Sequence, residues 1–297
     1  MTGATGTGGS MHPVTAVTTD ELDLAATLLS GQAFRWWPKG DSFRGFLAGI
    51  PVRVRVAGAP ARVLLVEWSA EAGGDGDAGR REQTVKDYFD LARDYRAIRL
   101  GAAAAHPWLA PALEFSRGLR VLRQDPWEAL VSFIASQNNN IPRIARVIAS
   151  ICSRGPGFPG PHDLARLGEE RLKAHGLGYR AKYVAAAARM VASGAVDFGA
   201  MRSMATEEAK RVLLTIPGVG EKVADCVLLY GMQRYEAAPV DIWVKRFIES
   251  VAFGGRQTSI AVVRSWVAGN LGPYAGIIQA HLYHYARSVG RNRHAAP

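Results

Sequence analysis

The sequence predicts an α+β protein, a small antiparallel sheet joined to a mostly helical body. Segments 51–56 and 62–68 alternate apolar and polar residues with period two, as strands with one wet face do. After Gln83, apolar residues recur at helical spacing in one segment after another. No internal repeat interrupts this order, so the strands group at one end and the helices follow.

Residues 1–19 are small, polar and glycine-rich, and read as a flexible tail ending at about residue 20. The sheet domain is expected over 21–84, with Phe43, Phe46 and Leu47 ahead of the two alternating segments. A Gly-Ala-Pro turn separates those segments, and 71–79, rich in Gly and Asp, reads as a loop. The helical body follows over 85–297. Asp125 and Pro126 form a helix start, an N-cap followed by a first-turn proline. Trp127, Leu130, Val131 and Ile134 then mark one helical face. Further helices are expected over 142–153 and 180–193, with the Gly- and Pro-rich stretch 155–161 as a hard break between them. The pattern continues over 207–214, 222–231, 242–251, 260–271 and 275–289.

Composition narrows the function. The chain carries 36 basic against 26 acidic residues, a net charge of +10, which favours polyanionic partners, nucleic acid ahead of an anionic membrane. A solvated basic surface is the plain alternative. Only seven of the basic residues are lysines, and arginine suits bidentate phosphate contacts. No apolar run approaches the roughly 20 residues of a membrane helix, and the N-terminal segment has no secretory-signal pattern. Cys152 and Cys226, the two cysteines, cannot build a disulfide framework or a four-cysteine iron–sulfur cluster. An intracellular setting follows, in nucleoid or nucleus according to the source.

The segment that carries chemistry is Ile216-Pro-Gly-Val-Gly-Glu-Lys222, set between two helical patterns. It is a helix-hairpin-helix signature. Gly218 and Gly220 allow positive φ and close approach, so the backbone of Gly218, Val219 and Gly220 is expected to cradle a phosphate without reading sequence. Lys222 falls in the first turn of the second helix. There the helix dipole disfavours an ammonium and favours a neutral, nucleophilic amine, although most first-turn lysines are solvated surface charges. Asp241 lies nineteen residues later, after Pro239 and Val240, and its plain reading is an N-cap. The helix after Lys222 carries the chain about 15 Å away. The segment 232–240 can return roughly 30 Å, enough to bring Asp241 beside the hairpin. Dipole and amides are expected to hold its carboxyl low and ionised.

Together, Ile216-Pro-Gly-Val-Gly-Glu-Lys222 and Pro239-Val-Asp241 resemble the helix-hairpin-helix, Gly-Pro-Asp superfamily of base-excision DNA glycosylases. Three more segments resemble its 8-oxoguanine DNA glycosylases: Ser30-Gly-Gln-Ala-Phe-Arg-Trp36, Ser136-Gln-Asn-Asn-Asn-Ile141 and Gly176-Leu-Gly-Tyr-Arg-Ala-Lys-Tyr183. The likeness runs from about residue 21 to 290. It implies a two-lobed helical body, with 124–222 as a middle lobe ending in the hairpin and 85–123 plus 223–297 as the second.

The resemblance also implies roles. Lys222 would attack C1′ of the damaged nucleotide and form a Schiff base, and Asp241 would stabilise the oxocarbenium-like sugar. Gly31 would accept the N7 proton of 8-oxoguanine through its carbonyl. Cys226 and Tyr283 would face the flipped base, with tyrosine where the family usually has phenylalanine, and Gln279 would bond its Watson–Crick edge. Asn138, Arg143 and Arg180 would bond the orphaned cytosine, and Tyr179 would wedge into the vacated stack. Taken singly, Cys226 is equally a small core residue, Gln279 a solvated one and Tyr179 a core or loop aromatic. Trp243 stands where the family often has histidine, and Gln137 where it has a small serine.

The implied activity is excision of 8-oxoguanine opposite cytosine followed by β-elimination, with no metal or cofactor, by a monomer acting on duplex DNA and not on membranes. Two alternatives stay open from sequence. A monofunctional alkylpurine glycosylase would use the aspartate with water and would not require Lys222. A non-catalytic helix-hairpin-helix DNA-binding protein would need only the hairpin and the charge.

Overall fold

The structure, a computed structural model, describes residues 11–58, 62–69, 78–153, 155 and 157–294. Five strands, β1 (Met11–Thr19), β2 (Trp37–Lys39), β3 (Ser42–Leu47), β4 (Ile50–Ala57) and β5 (Arg62–Ser69), form one antiparallel sheet in the order β1-β5-β4-β3-β2. The alternation seen in the sequence becomes two faces. In β4 and β5, Val52 pairs with Trp68, Val54 with Val66 and Val56 with Leu64. Of these, Val52, Val54, Leu64, Val66 and Trp68 are fully buried, each contributing about 2 kcal/mol of hydrophobic stabilisation. On the other face Arg53 sits opposite Glu67 and bonds it at 3.2 Å, a half-exposed pair of small energetic weight.

The expected tail is in part this sheet. Residues 1–10 lie outside the described residues, but Met11–Thr19 is the strand that covers the edge of β5. Its β-branched Val14, Thr15, Val17 and Thr19 fit a strand better than their polarity suggests. Val17 and Thr19 are buried, and the Trp68 Nε1 donates to Thr15 Oγ1 at 3.0 Å. An open edge needs such a cover. The expected loop at 71–79 lies outside the described residues as far as 77; Ala78 and Gly79 begin helix α2 (Ala78–Tyr88).

A short helix α1 (Leu24–Leu28) precedes β2. Beyond α2 come α3 (Tyr95–Ala105), α4 (Ala110–Phe115), α5 (Pro126–Ser136), α6 (Ile141–Ile151), α7 (Pro161–Leu172), α8 (Ala181–Ala192), α9 (Phe198–Met201), α10 (Thr206–Leu214), α11 (Glu221–Cys226), α12 (Ile242–Ala252), α13 (Ile260–Asn270) and α14 (Ala275–His294). Asp125 caps α5 as expected, accepting from Trp127 and Glu128 amides. The helix expected over 222–231 is α-helical only to Cys226 and then widens into a π-helical turn, Val227–Gly231.

Among the described residues the apolar interior forms three clusters. One lies under the sheet, with Trp36, Phe89 and Leu122. A second gathers α5, α6, α8, the hairpin and the π-helical turn. The third joins α3 and α4 to α12, α13 and α14. Arg35 ties sheet to body: its guanidinium lies 4.0 Å from the Phe46 ring centroid and bonds Glu128 Oε2 at 3.3 Å. Among the described residues, no helix is long and apolar enough to cross a membrane.

His281 of α14 is fully buried, and its Nδ1 donates to the Ile277 carbonyl at 2.9 Å. Its Nε2 has no partner among the described residues, and burial pushes its pKa down to about 4. The unfolded chain therefore binds a proton at His281 below about pH 6.5 where the native state binds none until about pH 4. This part of the stability is complete above that window and is lost as pH falls through it. In urea unfolding, the parent should lose about 2 kcal/mol more than His281→Gln between pH 7 and pH 5. Equal losses would mean that His281 does not titrate differently in the two states.

Candidate active site

The hairpin between α10 and α11 is held from below by an aromatic ring. Gly218 has φ +80, and a Cβ on it would lie 2.3 Å from Cγ of Tyr183 in α8. Both the backbone angle and the ring demand glycine. The Gly218 carbonyl accepts from Gln137 Nε2 at 3.0 Å. Val219 is buried, and its amide donates to the Ile216 carbonyl at 3.0 Å. That amide is therefore engaged inside the turn and not open to a phosphate, unlike the expected cradle. Gly220 is exposed and caps α11 in extended conformation.

Lys222 leaves the first turn of α11 half-buried. Its Nζ lies 3.4 Å from Ser136 Oγ and 5.0 Å from the centroid of the Phe133 ring. The acids beside it are engaged elsewhere. Lys210 of α10 pairs with Glu221 at 2.8 Å and with Asp225 at 2.9 Å. Cys226, one turn beyond Lys222, is buried, and burial pushes its thiol up to about 12 although the Lys222 amine pulls it down. The neutral thiol is a packing surface and not a competing nucleophile.

Asp241 comes from the neighbouring cluster as the N-cap of α12. Its Oδ1 accepts from the Trp243 amide at 3.0 Å and the Val244 amide at 2.9 Å. Its pKa was expected to fall, and the structure reverses the direction. Burial raises it, outweighing the two amides and the positive charge of Lys222. Lys222 and Asp241 thus meet where two apolar clusters join, the first from the hairpin and the second from the returning chain. Trp243 lies against α14, where a Cβ on Gly290 would come within 2.4 Å of its ring. The position where the family often has histidine therefore carries a packing contact between α12 and α14.

The residues expected around a flipped base fall into two groups. Gly31 has φ +94, and a Cβ there would meet Ile141 Cδ1 at 2.4 Å and Tyr283 Oη at 3.7 Å, so Gly31 and Tyr283 lie together. Gln279 is buried one helical turn before Tyr283, and its Oε1 has no partner among the described residues. A buried amide oxygen without a donor is costly, and a base edge would satisfy it.

Of the residues expected at the orphaned base, Asn138 is exposed at φ +45, and its Nδ2 lies 3.4 Å from Tyr179 Oη. Tyr179, the expected wedge, is half exposed. Arg143 is exposed, its amide bonded to Asn140 Oδ1. Arg180 differs from expectation. It is buried, with Nε on the Gln137 carbonyl at 2.6 Å and Nη2 on the carbonyls of Gln137 and, at 2.9 Å, Asn138. Its donors hold the loop that carries Asn138.

Sequence reasoning passed over several residues. Ser136 and Phe133 line the approach to Lys222, and Tyr230 stacks on Phe133 with centroids 5.3 Å apart. Gln32, beside Gly31, holds that loop from within: its amide donates to the Thr27 and Arg120 carbonyls and accepts from the Leu122 amide, all within 2.8 Å. Lys210 carried no sequence signal beyond its scarcity.

Residues 14–130 match the model of the 8-oxoguanine DNA glycosylase N-terminal domain, and residues 131–265 that of the HhH-GPD superfamily base excision DNA repair proteins. A probable N-glycosylase/DNA lyase of Methanothermobacter thermautotrophicus is 32% identical over 213 residues, covering 61% of this chain and 68% of that protein. The solved structure of MBOgg1 in complex with a low affinity DNA ligand superposes with a TM-score of 0.86 at 33% identity, covering 95% of this chain and 99% of that one. The Clostridium acetobutylicum 8-oxoguanine glycosylase/lyase, solved with duplex DNA containing cytosine opposite the lesion, gives 0.81 at 28% identity, covering 93% and 98%. The chain belongs to the 8-oxoguanine DNA glycosylase family within the helix-hairpin-helix, Gly-Pro-Asp superfamily.

Proposed function

We propose that this chain is a bifunctional base-excision repair enzyme that removes 8-oxoguanine paired with cytosine from duplex DNA and then cleaves the abasic strand. The observation that carries the reading is the convergence of Lys222 and Asp241 at one half-buried seam, with Gly31, Tyr283 and the Gln279 oxygen, which has no partner among the described residues, on the base side. Family membership and the names of the relatives support it. The net charge of +10 supplies the attraction for duplex DNA. The enzyme acts as a monomer wherever the genome is kept.

Each residue has a role in sequence. The duplex binds through phosphate contacts, the hairpin backbone at Gly218 and Gly220 facing one of them, while the Val219 amide stays bonded within the turn. Tyr179 fills the stack left by the flipped nucleotide, at a flipping cost of a few kcal/mol. Asn138 and Arg143 bond the orphaned cytosine, and Arg180 acts through the loop it holds. The lesion enters between Cys226 and Tyr283. The Gly31 carbonyl accepts the N7 proton that guanine lacks, and Gln279 takes the Watson–Crick edge. The Lys222 amine then donates its lone pair to C1′ as the C1′–N9 bond breaks, and the electron pair leaves with the base, which takes up a proton. Ionised Asp241 stabilises the cationic sugar. Ring opening gives an imine between Nζ and C1′; loss of a C2′ proton expels the 3′ phosphate, and hydrolysis of the imine frees the lysine.

Borohydride reduction of that imine tests the nucleophile. With an 8-oxoguanine·cytosine duplex, the parent should give a covalent protein–DNA species and Lys222→Gln none. A trapped species of equal yield in the variant would move the nucleophile elsewhere. In single-turnover excision, Gln279→Leu should slow release of 8-oxoguanine by about tenfold or more, the cost of losing a hydrogen bond to the base in a buried site. An unchanged rate would remove Gln279 from base reading.

A further inference from the structure

The loop that carries Asn138 and the hairpin that carries Lys222 are joined by one side chain. Gln137 ends α5 in extended conformation, φ −61 and ψ 127. Its Nε2 donates to the Gly218 carbonyl at 3.0 Å and to the Ile134 carbonyl at 3.3 Å. Its own carbonyl takes Nε of Arg180 at 2.6 Å and, on the same oxygen, Nη2. The next residue, Asn138, is held at φ +45, a left-handed angle that costs a non-glycine residue of order 1 kcal/mol unless neighbours impose it.

These contacts close a ring. Gly218 sits on the Tyr183 side chain. Tyr183 meets Tyr179 edge-on at 6.4 Å. Tyr179 lies under the Arg180 guanidinium at 4.4 Å and within 3.4 Å of Asn138 Nδ2. Gln137 closes the circuit from Asn138 back to Gly218. Lys222 follows Gly218 by four residues, and its Nζ contacts Ser136, the residue before Gln137. A displacement of Asn138 therefore reaches the hairpin through two routes, the Tyr179–Tyr183 rings and the Gln137 amide. Only the second meets the hairpin backbone by a hydrogen bond.

We infer that Gln137 is a positioning residue that couples the base opposite the lesion to the placement of Lys222, so that cytosine on Asn138 sets the hairpin for attack and adenine does not. The inference rests on the opposite-base assignment of Asn138 proposed above. Serine, the residue common in the family at this position, is two bonds shorter and lacks the amide; it cannot reach the Gly218 carbonyl from the same backbone. Where serine stands, this bond to the hairpin is absent. Gln137 touches neither sugar nor base and acts through Gly218.

The test is single-turnover base release from 8-oxoguanine·cytosine and 8-oxoguanine·adenine duplexes by the parent, Gln137→Met, Gln137→Ser and Asn138→Ala, with melting temperatures recorded for each. Methionine keeps the length and the backbone amide's bond to the Ile134 carbonyl but removes both Nε2 donations. The expected result is a cytosine-over-adenine rate ratio reduced about tenfold in both Gln137 variants, equal to 1.4 kcal/mol, through the maximal rate with cytosine and not through binding. Asn138→Ala should lose the ratio as well. If Gln137→Met fails to fold, Gln137→Ser carries the test. Folded variants whose two rates fall together, leaving the ratio unchanged, would overturn the inference and leave Gln137 a structural strut. A parent with a ratio of one, or an Asn138→Ala that keeps the parent's ratio, would overturn the opposite-base assignment itself, and the inference with it.

Discussion

The contact between Gly218 and the ring of Tyr183 is the constraint on which the site depends. A glycine at φ +80, pressed on an aromatic ring from a different helix, fixes the height and direction of the hairpin. From it follow the start of α11, the angle at which Lys222 leaves, and the carbonyl that Gln137 reaches. The π-helical turn after Cys226 then sets the exit of the chain. The segment that follows brings Asp241 back to the same seam. A site built on rigid helix ends in this way needs little ordering when substrate arrives.

Around that seat the electrostatics are arranged by diversion and by burial. Lys210 draws Glu221 and Asp225 onto itself, so the two acids nearest Lys222 in sequence do not pair with it. Burial keeps the Cys226 thiol neutral and lifts the Asp241 carboxyl. Arg180, buried against backbone carbonyls, holds the loop that carries Asn138. Charges that could otherwise pair with Lys222 are thereby engaged with partners inside the protein.

Much of this was legible in the sequence, for identifiable reasons. Period-two alternation found β4 and β5, and cap-and-proline chemistry found the start of α5. The Pro-Gly-Val-Gly turn found the hairpin, although only Gly218, at φ +80 against Tyr183, requires glycine; Gly220 is extended and open, not at the positive φ its sequence allows. The strand over 11–19 was hidden because threonine reads as polar while its β-branch favours sheet. Proximity was harder. Nothing local announces that Tyr183 lies under Gly218, that Lys210 takes both acids, or that Arg180 turns inward. The direction of the Asp241 shift was misread because a cap supplies amides, which sequence shows, while burial comes from packing, which it does not.

The central claim is that the Gly218 seat places the nucleophile, and Gly218→Ala tests it most directly. The added methyl must displace Tyr183 or rotate the backbone out of the left-handed region. In a variant that melts cooperatively, borohydride trapping on an 8-oxoguanine·cytosine duplex should fall at least tenfold. Affinity for an undamaged duplex of the same length should fall far less, because charge carries most of it. Trapping at the parent's level would show that the hairpin tolerates a shifted seat and would contradict the account.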